Sequence, residues 1–211
     1  MIKLKNIKDL TRKQLRDWLG EKTKMDRSIQ SYRADQVFFW LYQKGVNSFA
    51  EMKNLGFMTR SLLEKHFLIS SLEKAETRLS EDGSIKYRFL LYDGQSIESV
   101  FLPHKNHNTI CISSQVGCGM GCDFCMTSKM GLVRNLDTSE IIDQVLEVSK
   151  IHSNEQKLRN IVFMGMGEPL HNYENLMKSL EILTDVNGFN FSQRRITVST
   201  SGLLPKISSF G

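Results

Sequence analysis

Cys118, Cys122 and Cys125 lie within eight residues of one another in the run Cys-Gly-Met-Gly-Cys-Asp-Phe-Cys, a C-x3-C-x2-C spacing. Three thiolates that close, with Gly117, Gly119 and Gly121 free to bend the chain around a centre, suffice to hold a 4Fe-4S cube by three of its irons. The fourth iron then has no protein ligand and is open to the amino and carboxylate groups of S-adenosylmethionine, which one-electron reduction cleaves to a 5′-deoxyadenosyl radical. Zinc is the competing reading: Cys111, His104 or His107 could complete a four-ligand site and make the chain a zinc-bearing or cofactor-free RNA-binding module. Zinc sites, however, pair two short knuckles across a longer loop, whereas here three ligands crowd into one glycine-rich segment with Phe124 before the last.

Two further segments carry candidate ligand groups. In Gly165-Met-Gly-Glu-Pro169 the glycines let a ligand approach the backbone, and the Glu168 carboxylate can accept a hydrogen bond from an ammonium. Ser199 ends an apolar strand pattern and is placed either to bond a ligand's polar groups or to sit solvated at a strand terminus. Glu98 alternates onto one face with Val100 and Leu102, opposite Ile97 and Phe101. Aliphatic neighbours would raise its pKa and suit it to proton transfer; the alternative is an edge-strand carboxylate in solvent.

The elements that must position these groups follow from periodicity. From residue 108 the pattern alternates strand and helix: Thr109–Ser113, the helix EIIDQVLEVSK capped by Asp137 and Glu140, Asn160–Met164, the helix YENLMKSLEILTD opened by Asn172, Arg195–Thr200, and a further helix from Leu203. Such βαβ units imply a parallel sheet whose ligands bind at the carboxyl ends of its strands. The cysteine loop, GMGEP and STSG each follow one of these strands, so all three belong to one rim. Residues 71–107 read as a three-strand meander, Ala75–Leu79, Ile85–Leu91 and Ser96–Leu102, turned at Asp82-Gly83 and Asp93-Gly94. Residues 1–70 read as short helices: Thr11 caps the first over Leu15, Trp18 and Leu19, Gly45 stops RADQVFFWLYQK, and Ser48 with Glu51 forms a capping box. The stripe Phe38–Tyr42 is expected to be core.

All four cysteines fall between residues 111 and 125, which points to metal or thiol chemistry in a reducing compartment, not a disulfide framework. The N-terminal 25 residues carry eight Lys/Arg against three acids, a net of +5 equal to that of the whole chain. Such a module suits a polyphosphate partner or is a solvated lysine-rich face. Neither a membrane-spanning run nor the apolar stretch of a secretory signal occurs, so a cytoplasmic, monomeric protein without membrane association is expected.

The motifs CISSQVGCGMGCDFC, GLVRNL, TSEIIDQV, FMGMGEPL and RRITVSTSG occur in order and together closely resemble the radical SAM adenine methyltransferases of the RlmN/Cfr type. The N-terminal YRADQVFFWLYQKGVNSFAEM is similar to that family's accessory domain, and GMGEP with QVGC is closer to the RlmN branch. The resemblance implies a half radical SAM barrel of α/β class behind a helical accessory domain (1–70) and meander (71–107), with residues 108–211 as the barrel half. It implies methylation of carbon 2 of an adenosine in 23S rRNA and in tRNA beside the anticodon, through a methyl-cysteine intermediate. A 4Fe-4S cluster, S-adenosylmethionine and an electron donor are implied with it. By position, Cys118, Cys122 and Cys125 match the cluster ligands, Gly167, Glu168 and Ser199 the S-adenosylmethionine contacts, Cys111 the resolving cysteine and Glu98 the proton acceptor. The family's methyl-carrying cysteine lies near its C-terminus, whereas the last cysteine here is Cys125, and three βα beginnings stand where the family has six. The chain as given is therefore expected to be an incomplete and inactive portion.

Overall fold

The computed structural model describes residues 4–153, 157–203 and 206–207. The chain divides into two compact units, Met1–Ser71 with Lys178–Phe191, and Leu72–Met177 with Ser192–Gly211.

In the first unit, β1 (Lys5–Asn6) pairs in parallel with a later short strand, and α1 (Arg12–Lys22) and α2 (Arg27–Phe38) follow. Thr11 and Gln14 close the capping box that starts α1, satisfying two of the amides a helix start leaves orphaned. Leu15 and Leu19 are fully buried, as are Ala34, Val37 and Phe38 of α2. The chain then passes through a π-type turn, Phe39–Gln43, a 3-10 turn, Phe49–Glu51, and α3 (Phe57–His66) to β2 (Phe67–Leu68), the partner of β1. The helical period corrects one expectation: five consecutive residues cannot share one face, so Phe38, Leu41 and Tyr42, three and four residues apart, are core while Phe39 and Trp40 are half-exposed. Arg12 ties the unit together by bridging Asp35 at 2.8 Å and Asp185 at 2.7 Å.

The second unit is built on one sheet. β3 (Glu73–Leu79), β4 (Ile85–Leu90) and β5 (Ser96–Pro103) form the expected meander, with Gly83 and Gly94 in left-handed turns, and β6 (Asn108–Cys111) pairs antiparallel to β5. β7 (Gln115–Gly117) and β8 (Leu132–Asn135) then make a separate two-stranded ribbon, which hydrophobic patterning did not show. α4 (Thr138–Ile151), β9 (Leu158–Phe163), α5 (Tyr173–Thr184), whose residues from Lys178 belong to the first unit, and β10 (Ile196–Val198) complete the described α-helices and strands. The six-stranded order is β10-β9-β6-β5-β4-β3, parallel across β6, β9 and β10. The helix expected from Leu203 lies largely outside the described residues.

The strands' period of two sorts the sheet into unlike faces. One carries Tyr87, Phe89, Ile97, Phe101, Ile110, Ile161 and Phe163, all buried, and is covered by α4, whose Ile141, Ile142 and Val145 are fully buried. His152, at the end of α4, stacks on Phe101 at 3.6 Å and bonds the Tyr87 hydroxyl at 2.7 Å. The other face carries Lys86, Arg88, Glu98, Thr109, Cys111 and Asn160 and is half-open in the described residues.

Candidate active site

The ribbon β7–β8 brackets the cysteine loop. Gly117, at φ +73°, leads out of β7 so close to the returning strand that a Cβ there would stand 1.9 Å from Gly131 O. Only glycine fits. Cys118 N–H bonds Gly131 O at 3.0 Å, and the Ser128 hydroxyl donates to Cys122 O and Cys125 O at 2.8 and 3.2 Å, so the loop closes on its own backbone. Cys118 is buried, Cys122 and Cys125 are half-buried, and all four thiols are free. Among the described residues no three His, Cys, Asp or Glu side chains converge on a single ion. A cube differs from an ion here, because each thiolate takes its own iron and the ligands stand further apart. His104 and His107 stack on each other at 4.8 Å in the β5–β6 turn, at the end of β6 away from the loop.

The segment entering the loop is locked to the GMGEP turn by bonds that continue the sheet past its last regular pairs. Ser114 and Gln115 N–H both bond Met166 O, at 2.8 and 3.1 Å, and Met166 N–H bonds the Ser113 hydroxyl at 2.9 Å. That hydroxyl donates in turn to Glu98 O at 2.6 Å, joining three strand ends at one fully buried group. Gln144, on α4 and fully buried, accepts from Ser113 N–H and the Ser99 hydroxyl, both at 2.8 Å, and donates to Ser113 O at 2.9 Å. Asn172 donates to Ser114 O and Leu136 O at 2.9 and 2.7 Å. Gln115 accepts from Glu168 N–H at 2.8 Å and donates to Asn135 Oδ1 at 2.7 Å. Sequence reasoning missed these amides. Gln115 and Gln144 stand inside quoted motifs and Asn172 at a helix start, but only their zero or near-zero exposure and their partners show their role.

The crossing explains Gly167. At φ +101° a Cβ there would lie 2.5 Å from Gln115 Cβ. Glu168 is buried and each of its oxygens takes two donors: Leu170 N–H and the Thr200 hydroxyl on one, at 3.0 and 2.7 Å, Ser201 N–H and hydroxyl on the other, both at 2.8 Å. Burial pushes its pKa up, but the donors from Ser201, Thr200 and Leu170 outweigh it and hold the carboxyl below its ordinary value. Glu168 therefore clamps the end of β9 to the turn after β10. Ser199, in that turn, is exposed at the same rim.

On the half-open face, Cys111 pairs in register with Val100 and Val162. Burial raises its thiol pKa, and a hydrogen bond from Met164 N–H partly offsets this. Glu98 is one alternation from Val100 along β5, so it and Cys111 share a face. The expectation of aliphatic surroundings for Glu98 is corrected: its carboxylate, 43% exposed, pairs with Lys86 Nζ at 3.1 Å and stands opposite Arg88. Alternation predicted the face correctly, but the neighbouring strand brings cations to it.

Two family models match in order: the ribosomal RNA large subunit methyltransferase N-terminal domain over residues 5–69 and the Radical SAM superfamily over residues 112–208. A dual-specificity RNA methyltransferase RlmN from Desulfosudis oleivorans is 48% identical over 206 residues, covering 97% of this chain and 54% of that protein. The protein of the same name from Geotalea uraniireducens is 47% identical, covering 98% of this chain and 57% of its own length. A crystal structure of a radical SAM methyltransferase from Sphaerobacter thermophilus superposes with a TM-score of 0.85 at 39% identity, over 98% of this chain and 60% of that one. The chain thus spans a little over half the length of the curated relatives it matches. It has a partial radical SAM fold and belongs to the RlmN family of radical SAM methyltransferases.

Proposed function

We propose that this chain is the N-terminal portion of a radical S-adenosylmethionine enzyme that methylates carbon 2 of adenosine in 23S rRNA and in tRNA beside the anticodon. The observation that carries the reading is the junction of the cysteine loop with the GMGEP turn: Ser114 and Gln115 N–H on Met166 O, and Glu168 N–H on Gln115. The donor set fits a 4Fe-4S cluster, with Cys118, Cys122 and Cys125 as its three protein ligands and Phe124, 92% exposed, beside them. Bound there, and reduced by an external electron donor, the cluster supplies the one-electron cleavage of S-adenosylmethionine. The chain's own residues bind and orient. Gly167 lets the turn pass directly against Gln115, Glu168 holds the β9 and β10 ends together, and Ser199 offers a hydroxyl at the same rim. Cys111 takes the part of the thiol that resolves the protein–RNA adduct and Glu98 that of the proton acceptor, supported by their common sheet face. With these roles all four cysteines are assigned, and the thiol that carries the methyl group in this chemistry has no counterpart among residues 1–211. Reduced thiols and an iron–sulfur centre fit a cytoplasmic setting, and among the described residues no helix is long and apolar enough to cross a membrane.

Anaerobic reconstitution with iron and sulfide tests the reading. The chain is expected to take up about four irons with matching sulfide, and replacing any one of Cys118, Cys122 or Cys125 by Ala is expected to abolish stoichiometric loading. Stoichiometric zinc without sulfide would refute it.

A further inference from the structure

We infer that the half-open face of the six-stranded sheet is a track for the substrate's RNA backbone, with Arg78, Lys86 and Arg88 as its phosphate contacts, leading the target nucleotide to Cys111 and Glu98. The inference rests on the RNA methyltransferase reading above and adds the surface by which RNA is held.

Strand register supplies the geometry. Arg78 pairs with Lys86, Lys86 with Val100, and Val100 with Cys111, so cations and thiol stand in one cross-strand row. At ~4.8 Å between strands, the Lys86 and Arg78 backbones lie about 10 and about 14 Å from that of Cys111. In the adjacent row Arg88 stands between Glu76 and Glu98. The row is therefore continuous from the outer edge of the meander to the candidate catalytic pair.

Exchangeable ion pairs then point to the occupant. Arg78, Lys86 and Arg88 share the face with Glu73, Glu76 and Glu98, and their pairs are with side chains: Arg78 and Arg88 share Glu76 at 2.6 and 3.1 Å, and Lys86 pairs with Glu98 at 3.1 Å. These side chains are 37–75% exposed, a setting in which solvent screening leaves ion pairs weak, so phosphates can replace the carboxylates at little cost. A protein partner is disfavoured, because the centres of protein interfaces are depleted of charge, and this face is charged at its centre. The exchange also has a consequence for the chemistry. A phosphate that draws Lys86 away leaves Glu98 unpaired on the same face as Cys111, ready to accept a proton when RNA is in place.

The test is fluorescence anisotropy of the full chain with a fluorescein-labelled RNA stem-loop carrying adenosine in its loop, titrated at salt concentrations from ~50 to ~200 mM. The variant Arg78→Gln/Lys86→Met/Arg88→Gln is expected to bind at least tenfold more weakly at low salt. Its log–log salt slope should be shallower by about 2, at ~0.7 per single-strand phosphate contact. Arg78→Gln alone, at a side chain 75% exposed, keeps the test informative should the triple variant misfold, with an expected loss of ~0.7 in slope. Wild-type binding matched in affinity and slope by the folded variants would overturn the track and leave the RNA reading intact. Absence of any wild-type binding at low salt would refute both.

Discussion

Replacing Gln115 by Met removes two hydrogen bonds while keeping side-chain volume and apolar packing, and the consequences at its two ends differ. Asn135 is at an exposed position, so water can take the place of the lost donor at its Oδ1. Glu168 N–H is buried and has Gln115 Oε1 as its acceptor, at 2.8 Å. A buried donor left unmet costs about 1–3 kcal/mol, which converts to a roughly 5- to 150-fold rise in the opening equilibrium of the GMGEP turn. Hydrogen exchange on the ligand-free chain reads this directly: the Glu168 amide is expected to exchange faster by that factor. Ser113 N–H, held by Gln144 at 2.8 Å, should keep its protection. Asn135→Ala serves as the control and should leave Glu168 unchanged. Unaltered Glu168 protection in Gln115→Met would refute the argument that this amide couples the cysteine loop to the turn. So would an equal loss at Ser113, since that would mean the whole junction had loosened.

Gly167→Ala should destabilise the fold by about 2–5 kcal/mol, from ~1–2 for a side chain at positive φ and ~1–3 for overpacking against Gln115, read as a lowered denaturation midpoint. Because the Glu168 carboxyl is held below its ordinary value in the folded chain, its stabilisation is fully present above its unfolded pKa, about 4.3, and fades as pH falls through the folded value. Amide exchange across residues 196–203, referenced to intrinsic rates, should therefore lose protection on acidification below about pH 4, and Glu168→Gln should already show the loss at pH 7.

What the sequence made legible were features set by local chemistry. Glycine at a left-handed turn, a Ser, Thr or Asp helix cap, and alternation on a half-buried strand each leave a mark within a few residues. The meander turns at Gly83 and Gly94, the helix caps at Thr11 and Asp137 and the capping box of Ser48 with Glu51 accordingly stand where expected. The ribbon β7–β8 was not legible, because its three- and four-residue strands are too short for periodicity and their pairing spans the cysteine loop. The surroundings of Glu98 were not legible for a related reason. Alternation within β5 says which face a side chain takes, but Lys86 reaches it from the next strand, and cross-strand register is a tertiary property. The amides of Gln115, Gln144 and Asn172 satisfy backbone groups of segments far off in sequence, and those partners, unlike the residues' places in motifs or at a helix start, follow no local pattern.

Those three amides also bear on why the junction is built as it is. Met166 O takes the Ser114 and Gln115 amides, but Ser113 N–H, Ser113 O and Ser114 O lie past the regular sheet pairs and take side-chain partners from Gln144 and Asn172. Carboxylates or ammonium groups could do this, but each would bring an unscreened charge beside a loop proposed to carry three thiolates. A nearby carboxylate would disfavour thiolate formation, and an ammonium would compete for it. Neutral amides donate and accept at once and add no net charge: Gln144 alone makes four hydrogen bonds, to Ser99, Ser113 N–H, Ser113 O and Glu140 O. The carboxylate that does sit in this junction, Glu168, has its charge spread over four donors from its own turn and the end of β10. The segment entering the cysteine loop is thus supported by neutral amides and hydroxyls, and the one charge built into the junction, on Glu168, is tied by four donors into the turns after β9 and β10.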